Sequence, residues 1–423
     1  MSITPEEKEA IKKIRAECAE LLTPVYDTDF NLLRWYKWFH GDHEQAVKRL
    51  NRHLQFRKLY GLDDYAKLPD HPIADEYVPL AILGGTGKDN RFVTIEVPGV
   101  VDISGLAESV RAHEYNLRRA KLNERLLRMM NETERTTAQP SGVIHILDLD
   151  GLTMDPTLLN TVKNQFRLFW SHNVDNYPML ISKFFIINTP SFMSVLWAAL
   201  TPFLTQDIID KIELYGTPEE WQPKLFELVS EETIPVKWGG KCTGPNDDPF
   251  GPVRMPPGPI PTELYLKPDA ETPAYTELDS VDIGAGYVSV FSFVVDSNDV
   301  ANIVVNTFTA YDRTFTLAIW QHTPAQLCAV AGDVTQLQLE TAHVWLPNAE
   351  LASLCTVDRR RMRANGAGVY HVKFGNEPAW LRSLTMHFRV QFLDSNGDKL
   401  KVTPVENEEF ADALLDAADA EQQ

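Results

Sequence analysis

The sequence predicts an α/β domain, with an N-terminal helical module and further helices around a mostly parallel sheet that encloses an apolar pocket, followed by an all-β sandwich. Three observations predict it. Strand patterns alternate with helical patterns between Phe92 and Gly216, an order that needs helical crossovers between parallel strands. The segment 243–262 then holds seven prolines and three glycines, which no regular element can absorb in its interior, so it marks a boundary. Beyond it, Tyr370, Val372 and Phe374 alternate with His371 and Lys373, and Met386, Phe388, Val390 and Phe392 alternate with His387, Arg389 and Gln391. That period of two is the mark of half-buried strands.

Taken in order, residues 1–65 read as a small helical module. Thr4, Pro5 and Glu7 form a capping box with proline at the first helical position, and Ile11, Ile14, Cys18 and Leu21 recur at helical spacing. A second helix is expected over Asp29–Phe39. A third starts at Asp42, with Gln45 in the capping position, and stops before Gly61. The α/β domain is expected over residues 66–243. Its strands are Phe92–Val97, Val143–Asp150, Phe184–Asn188 and Lys211–Gly216, and its helices cover Leu106–Asn131 and Pro156–Asn173. Between the last two strands runs a short helix in which only Ser191 and Ser194 are polar from Ser191 to Leu200. A surface helix keeps a broad polar face, so this one must be buried or cover something apolar. The linker is placed at 244–262 and the β-sandwich at 263–400, with Tyr287–Val295, Ile303–Thr309 and Thr314–Trp320 as further strands in two packed antiparallel sheets. Residues 401–423 form an acidic, Ala-rich tail, read from Glu406 onward as a frayed helix.

Composition excludes several function classes. At 423 residues the chain exceeds one ordinary core and implies two or three units. Lys plus Arg number 40 against 59 Asp plus Glu, a net charge of −19, which argues against a nucleic-acid partner because phosphate contacts need clustered cations. Cys18, Cys242, Cys328 and Cys355 are widely spaced with no CxxC pair, as expected in a reducing cytosol. The charged start, MSITPEEKEAIKK, is no secretory signal. No lipidation signal is visible. No apolar run reaches the ~20 residues of a membrane span, so a soluble protein with reversible membrane contact is expected.

Catalytic and metal motifs fail on inspection. Gly84, Gly85, Gly87 and Lys88 suggest a phosphate loop, but Ile82 stands where its first glycine belongs and Asp89 where Ser or Thr belongs. A turn leading into the Phe92 strand accounts for them better. Asp148, Asp150 and Asp155 offer carboxylates to a hard cation, yet Asp-x-Asp-Gly at a strand end is ordinary turn chemistry. His40 and His43 lack a third ligand. Ser141 before Gly142 lacks the nucleophile elbow. The reading is therefore no enzyme, no catalytic residue, no metal and no cofactor.

The aromatic set Phe166, Phe169 and Trp170 shares one side of a helix, and with the apolar helix that follows it provides more apolar surface than so small a sheet needs. Here the residues resemble a known family. LLRWYKWFHGDHEQAVKRLNRHLQFRKLYGLD, VIHILDLDGL, NYPMLISKFFIINTPSFM, LTPFLTQDIIDKIELYG and IPVKWGGKC look like successive landmarks of the Sec14-like or CRAL-TRIO lipid-transfer proteins, with Phe56 and Arg57 as the family's aromatic-Arg pair, over about Asp29 to Cys242. The Pro-rich linker and GVYHVKFGNEPAWLRSLTMHFRVQF resemble the GOLD-domain arrangement of the supernatant protein factor and tocopherol-associated group.

The resemblance implies a lipid pocket that includes Phe166, Phe169, Trp170, Phe184 and Ile186. It also implies a mobile gate within Ser191–Ile209, made of Phe192, Val195, Leu196, Ala199, Leu200 and Phe203, with Leu196→Asp as its probe. Lys211 matches a lysine that contacts the headgroup in phosphatidylinositol-binding members. Their headgroup glutamate corresponds to Leu168 and a second basic contact to His40, which points to a neutral or differently anchored ligand. The implied function is cytosolic binding and transfer of a hydrophobic lipid between membranes or to a partner, with transient membrane contact and a protein partner reached through the GOLD domain. The alternative is a lipid-regulated interaction adaptor.

Overall fold

We describe residues 3–154, 158, 174–310, 313–364 and 366–422 of a computed structural model of the protein. The expected helix over Pro156–Asn173, with Phe166, Leu168, Phe169 and Trp170, lies outside these residues apart from Leu158. The chain forms two compact units, one of Met1–Leu54, Gly61–Val110 and Glu114–Tyr265, the other of Gln55–Tyr60, Arg111–His113 and Leu266–Gln423.

The first unit begins with helix α1 (Pro5–Glu17), whose Thr4 side chain accepts from the Glu7 amide while the Glu7 carboxylate accepts from the Thr4 amide. Helices α2 (Asp29–Trp38) and α3 (His43–Tyr60) follow, capped by Thr28 and by Asp42, whose carboxylate accepts from the Gln45 amide at 3.1 Å. Ile11, Ile14, Leu32, Trp35, Leu50 and Leu54 pack together with Leu126, Leu127 and Met130. The N-terminal helices thus share a core with the α/β elements.

Helix α4 (Pro72–Tyr77) leads to strand β1 (Leu80–Gly85), which pairs antiparallel with β2 (Phe92–Glu96). The glycine-rich segment closes this hairpin: the Thr86 hydroxyl and the Arg91 amide both donate to Asp89 Oδ1. Strand β1, which contains Gly84 and Gly85, escaped sequence reading, and its register shifts between Ile82 and Gly84. The helix expected over Leu106–Asn131 is two helices, α5 (Ile103–Ser109) and α6 (Ala112–Thr137). Val110 takes extended backbone angles (φ −133°, ψ 136°) and is buried beside Ala74 and Val78, and this local packing overrides the continuous helical pattern.

Strands β3 (Val143–Asp148), β4 (Ile181–Ile187) and β5 (Ile212–Leu214) extend the sheet in the order β1-β2-β3-β4-β5, parallel from β2 onward. Helix α7 (Met193–Leu200), a 3-10 turn (Thr201–Phe203) and the one-turn helix α8 (Gln206–Ile209) lie between β4 and β5, and α9 (Pro218–Leu228) follows. One face of the sheet, Val93, Ile95, Ile144, Ile146, Phe185 and Ile187, is sealed by Trp221, Leu225 and Trp238. Val253 from the Pro-rich segment joins that cluster. The Ile260 amide donates to Asp102 at 3.1 Å.

The second unit is a β-sandwich. Its strands are β6 (Asp279–Ile283), β7 (Val288–Val295), β8 (Val300–Phe308), β9 (Thr314–His322), β10 (His343–Ala352), β11 (Asp358–Arg363), β12 (Gly368–Gly375), β13 (Leu384–Asp394) and β14 (Pro404–Glu406), with the short helix α10 (Pro324–Ala329) between β9 and β10. They form the antiparallel sheets β10-β9-β12-β7-β14 and β11-β8-β13-β6. Phe293, Val305, Phe315, Tyr370, Phe374, Phe388 and Phe392 fill the space between them.

Two expectations need correction here. Strand β12 is buried on both faces, including His371 and Lys373. The reason is that the tail is not frayed at its start. Helix α11 (Glu408–Gln422) docks on the outer face of this sheet, where Phe410 is buried with Val290, Ala318 and Trp320 and stacks on the His371 ring at 4.3 Å. Asn407 pins the docking by donating to the Ser292 hydroxyl and the Val334 carbonyl, each at 3.1 Å.

Candidate functional site

The sheet face opposite the α9 side carries the site. Because successive side chains alternate, Thr94 and Glu96 of β2, Val143 and His145 of β3 and Phe184 of β4 share this face, under Leu122 and Leu126 of α6. Between them opens a cleft of about 620 Å³, its mouth included, whose lining adds Trp38, Tyr177, Leu180, Ile181, Ile208 and Lys211. Most of that lining is apolar, the usual character of a small-molecule pocket.

A polar chain crosses its floor. The Thr94 hydroxyl and His145 Nδ1 are hydrogen-bonded at 2.8 Å, His145 Nε2 lies 3.5 Å from the Glu96 carboxylate, and the Arg119 guanidinium donates to the same carboxylate at 3.0 Å. All four residues are buried. Burial pushes the Glu96 carboxyl up, but the Arg119 charge and the His145 ring outweigh it and hold the group down at about 2. Burial pulls His145 below the ordinary histidine value against the opposing pull of Glu96. The floor therefore offers buried hydrogen-bonding groups in which the Arg119 and Glu96 charges are paired. Nearby, the Tyr177 hydroxyl donates to Glu124 at 3.0 Å.

Charge appears at the Lys211 end. Its ammonium lies 4.9 Å from the centre of the Trp38 ring, a cation–π contact. Burial lowers its affinity for the proton, with Asp207 opposing. His40, which stands where the second basic contact of phosphatidylinositol-binding members would lie, pairs with Asp207 at 3.1 Å.

Of the pocket residues named from sequence, Phe184 lines the cleft and meets the His145 ring edge-on at 6.1 Å. Ile186 is buried further along the same face with Leu147, Leu149 and Met193. Phe192, Leu196, Ala199 and Leu200 gather around Leu158 with Ile103 and Leu152. Leu196 points inward and is buried, whereas Val195 and Phe203 are 48% and 53% exposed. Sequence reading missed Thr94, Glu96, Arg119 and His145. For Thr94, Glu96 and His145 the signal was a polar residue at every second position of strands that should be apolar on both faces of a covered parallel sheet.

Asp148, considered as a metal ligand, has a structural task. Its carboxylate accepts from Trp238 Nε1 at 2.7 Å, Asn188 Nδ2 at 2.7 Å and the Asp150 amide at 3.0 Å, and Asn188 in turn accepts from Trp221 Nε1. Gly151, at φ +89°, completes the turn. Asp155 lies outside the described residues, among which no group of three metal-ligating side chains occurs.

A family model described as the CRAL/TRIO domain matches residues 79–240, the span that contains the whole sheet and cleft. The chain carries a CRAL/TRIO domain. In front of it, residues 3–65 match a domain of unknown function, and behind it residues 264–401, most of the β-sandwich, match an F28H7_8_C-like C-terminal domain. The CRAL-TRIO domain-containing protein F28H7.8 of Caenorhabditis elegans is 29% identical over 395 residues, covering 92% of this chain and 91% of that protein. Protein ctg-1 of the same organism is 24% identical over 66% of this chain and 72% of its own length. The phosphatidylinositol/phosphatidylcholine transfer protein SFH7 of Arabidopsis thaliana is 27% identical over 53% of this chain and 41% of its own. The similarity to F28H7.8 thus extends well beyond the span matched by the CRAL/TRIO model.

Proposed function

We propose that this protein binds a hydrophobic lipid in the cleft of its CRAL/TRIO domain and transfers it between membranes or to a partner, acting in the cytoplasm with reversible membrane contact. The observation that carries the reading is the largely apolar cleft between α6 and the sheet, with Lys211 against Trp38 at its polar end. The relative named as a phosphatidylinositol/phosphatidylcholine transfer protein supports it. Sequestering a tail gains about 0.8 kcal/mol per methylene, so exchange needs an opening. We read Phe192–Phe203 as that gate, with Leu196 buried on its inner side and Val195 and Phe203 exposed on its outer side. Lys211 contacts the polar end of the ligand in this reading. The β-sandwich is read as a GOLD-like appendage that presents its loops to partners. The activity is binding and carriage, with no catalytic step.

Native mass spectrometry of protein purified from cells tests this. A stoichiometric hydrophobic ligand is expected, together with extraction of lipid from donor vesicles. Repeated recovery of empty protein that extracts nothing would sink the reading.

A further inference from the structure

We infer that the β12–β13 turn of the sandwich is a membrane-insertion tip that enters the headgroup and upper acyl region of a bilayer. Trp380 and Leu381 stand side by side in this turn and are each 93% exposed. In the neighbouring β6–β7 turn Tyr287 is 63% exposed. Hydrophobic side chains scattered singly over a surface need no explanation, but an adjacent Trp and Leu projected almost wholly into water do.

The tip is built rather than loose. Asn376 is buried, and its side-chain amide donates to the carbonyls of Ile283 at 3.1 Å, Gly284 at 3.2 Å and Arg382 at 2.9 Å. Backbone bonds from Gly286 to Asn376 and from Asn376 to Tyr287 join the two turns. A single buried amide thus fixes the start and end of the Trp380 turn and ties it to the turn that bears Tyr287. The sandwich holds its most exposed apolar pair in a set geometry, although that pair contributes nothing to its own core. A preorganised element of this kind loses little conformational freedom on binding.

The chemistry selects a bilayer over a protein groove. Tryptophan and tyrosine concentrate where membrane meets water, because each joins an apolar ring to a polar tip. Arg382, exposed beside Leu381, suits lipid phosphates. Two carboxylates of the adjoining turn and strand are already hydrogen-bonded: Glu377 accepts from Lys373 and Thr316, and Asp282 accepts from the Thr385 hydroxyl at 2.6 Å. With the chain at −19 overall, attraction of the whole protein to an anionic surface cannot drive this contact, so apolar insertion must.

Partition of the full-length protein onto phosphatidylcholine vesicles, with and without phosphatidylserine, tests the inference by co-sedimentation. The double variant Trp380→Ala/Leu381→Ala is expected to bind at least about tenfold more weakly, the loss that follows when ~60 Å² of apolar surface no longer leaves water. Trp380→Tyr/Leu381→Met should retain most of the binding. Ligand occupancy by native mass spectrometry should match wild type in both, so the tip can fail while the lipid-cleft reading stands, and the reverse. Equal vesicle binding by wild type and the alanine variant overturns the inference. So does a wild-type protein that ignores vesicles but cross-links to another protein through position 380.

Discussion

Acidification should loosen the sandwich through His371. This ring is buried in β12, bonded to the Ser292 hydroxyl at 2.7 Å and to His322 Nδ1 at 2.9 Å, and roofed by Phe410. Burial, together with the adjacent His322, pulls its pKa from 6.5 to about 3. Between those values the unfolded chain binds a proton that the folded chain refuses, so stability falls as pH drops below 6.5 and the loss is complete only near pH 3. At pH 5 the unfolded-state histidine lies 1.5 units above the ambient pH, and at about 1.4 kcal/mol per unit the loss from His371 is about 2 kcal/mol relative to pH 8. His322 shifts in the same direction, again through burial, and adds to it. Urea unfolding of the full chain at pH 8, 6.5 and 5, with hydrogen exchange read at 404–417 and 368–375, measures this. Because other groups titrate as well, the diagnostic is wild type minus His371→Asn, with His322→Asn as the second variant. A pH-independent difference would refute the reasoning, as would α11 amides that exchange no faster at pH 5 once the intrinsic rate is corrected.

Val195→Asp is a better test of the gate than Leu196→Asp, because Leu196 is buried. The Val195 variant should stay within about 0.5 kcal/mol of wild-type stability while vesicle-to-vesicle lipid exchange slows about tenfold, which a fluorescence transfer assay reads. Asp148→Ala orphans three donors at the end of the sheet and should lower unfolding free energy by about 3–5 kcal/mol in urea titrations. Lys211→Met should leave the mass of the co-purified ligand unchanged and its occupancy within ~twofold, as expected for a neutral ligand. Loss of the ligand in that variant would instead assign it an anionic group.

The α/β order was legible because Val93, Ile95, Ile144 and Ile146 repeat the pattern of a covered sheet, and the Thr4 and Asp42 caps announce their helices. Strand β11, Asp358–Arg363, was not legible. Its DRRRMR sequence shows no apolar alternation, and its place is set by backbone pairing to β8 and by the Arg360–Asp358 and Arg359–Glu271 ion pairs. Pairing of that kind depends on a partner more than fifty residues away. In the cleft, Phe184 could be named from its strand, but the polar floor could not be assembled in advance. Arg119 comes from α6 and meets Glu96 and His145 only when that helix lies across β2 and β3. Strand β12 misled for the converse reason, since the Phe410 that hides His371 lies almost forty residues further along the chain.

The clamp at the end of β4 bears on how large a movement lipid exchange would require. Asn188 is fastened to Asp148 and Trp221, Thr189 bonds the Tyr215 carbonyl through both its amide and its hydroxyl, and the Lys211 carbonyl is held by the Phe184 amide. A gate that swung between them, as proposed, would have two stationary bearings and about twenty residues of slack. It could open a path for an acyl chain without unzipping one strand of the floor. Such a door leaves its frame standing, so the empty and loaded proteins would differ in one short stretch while the sheet beneath stays the same.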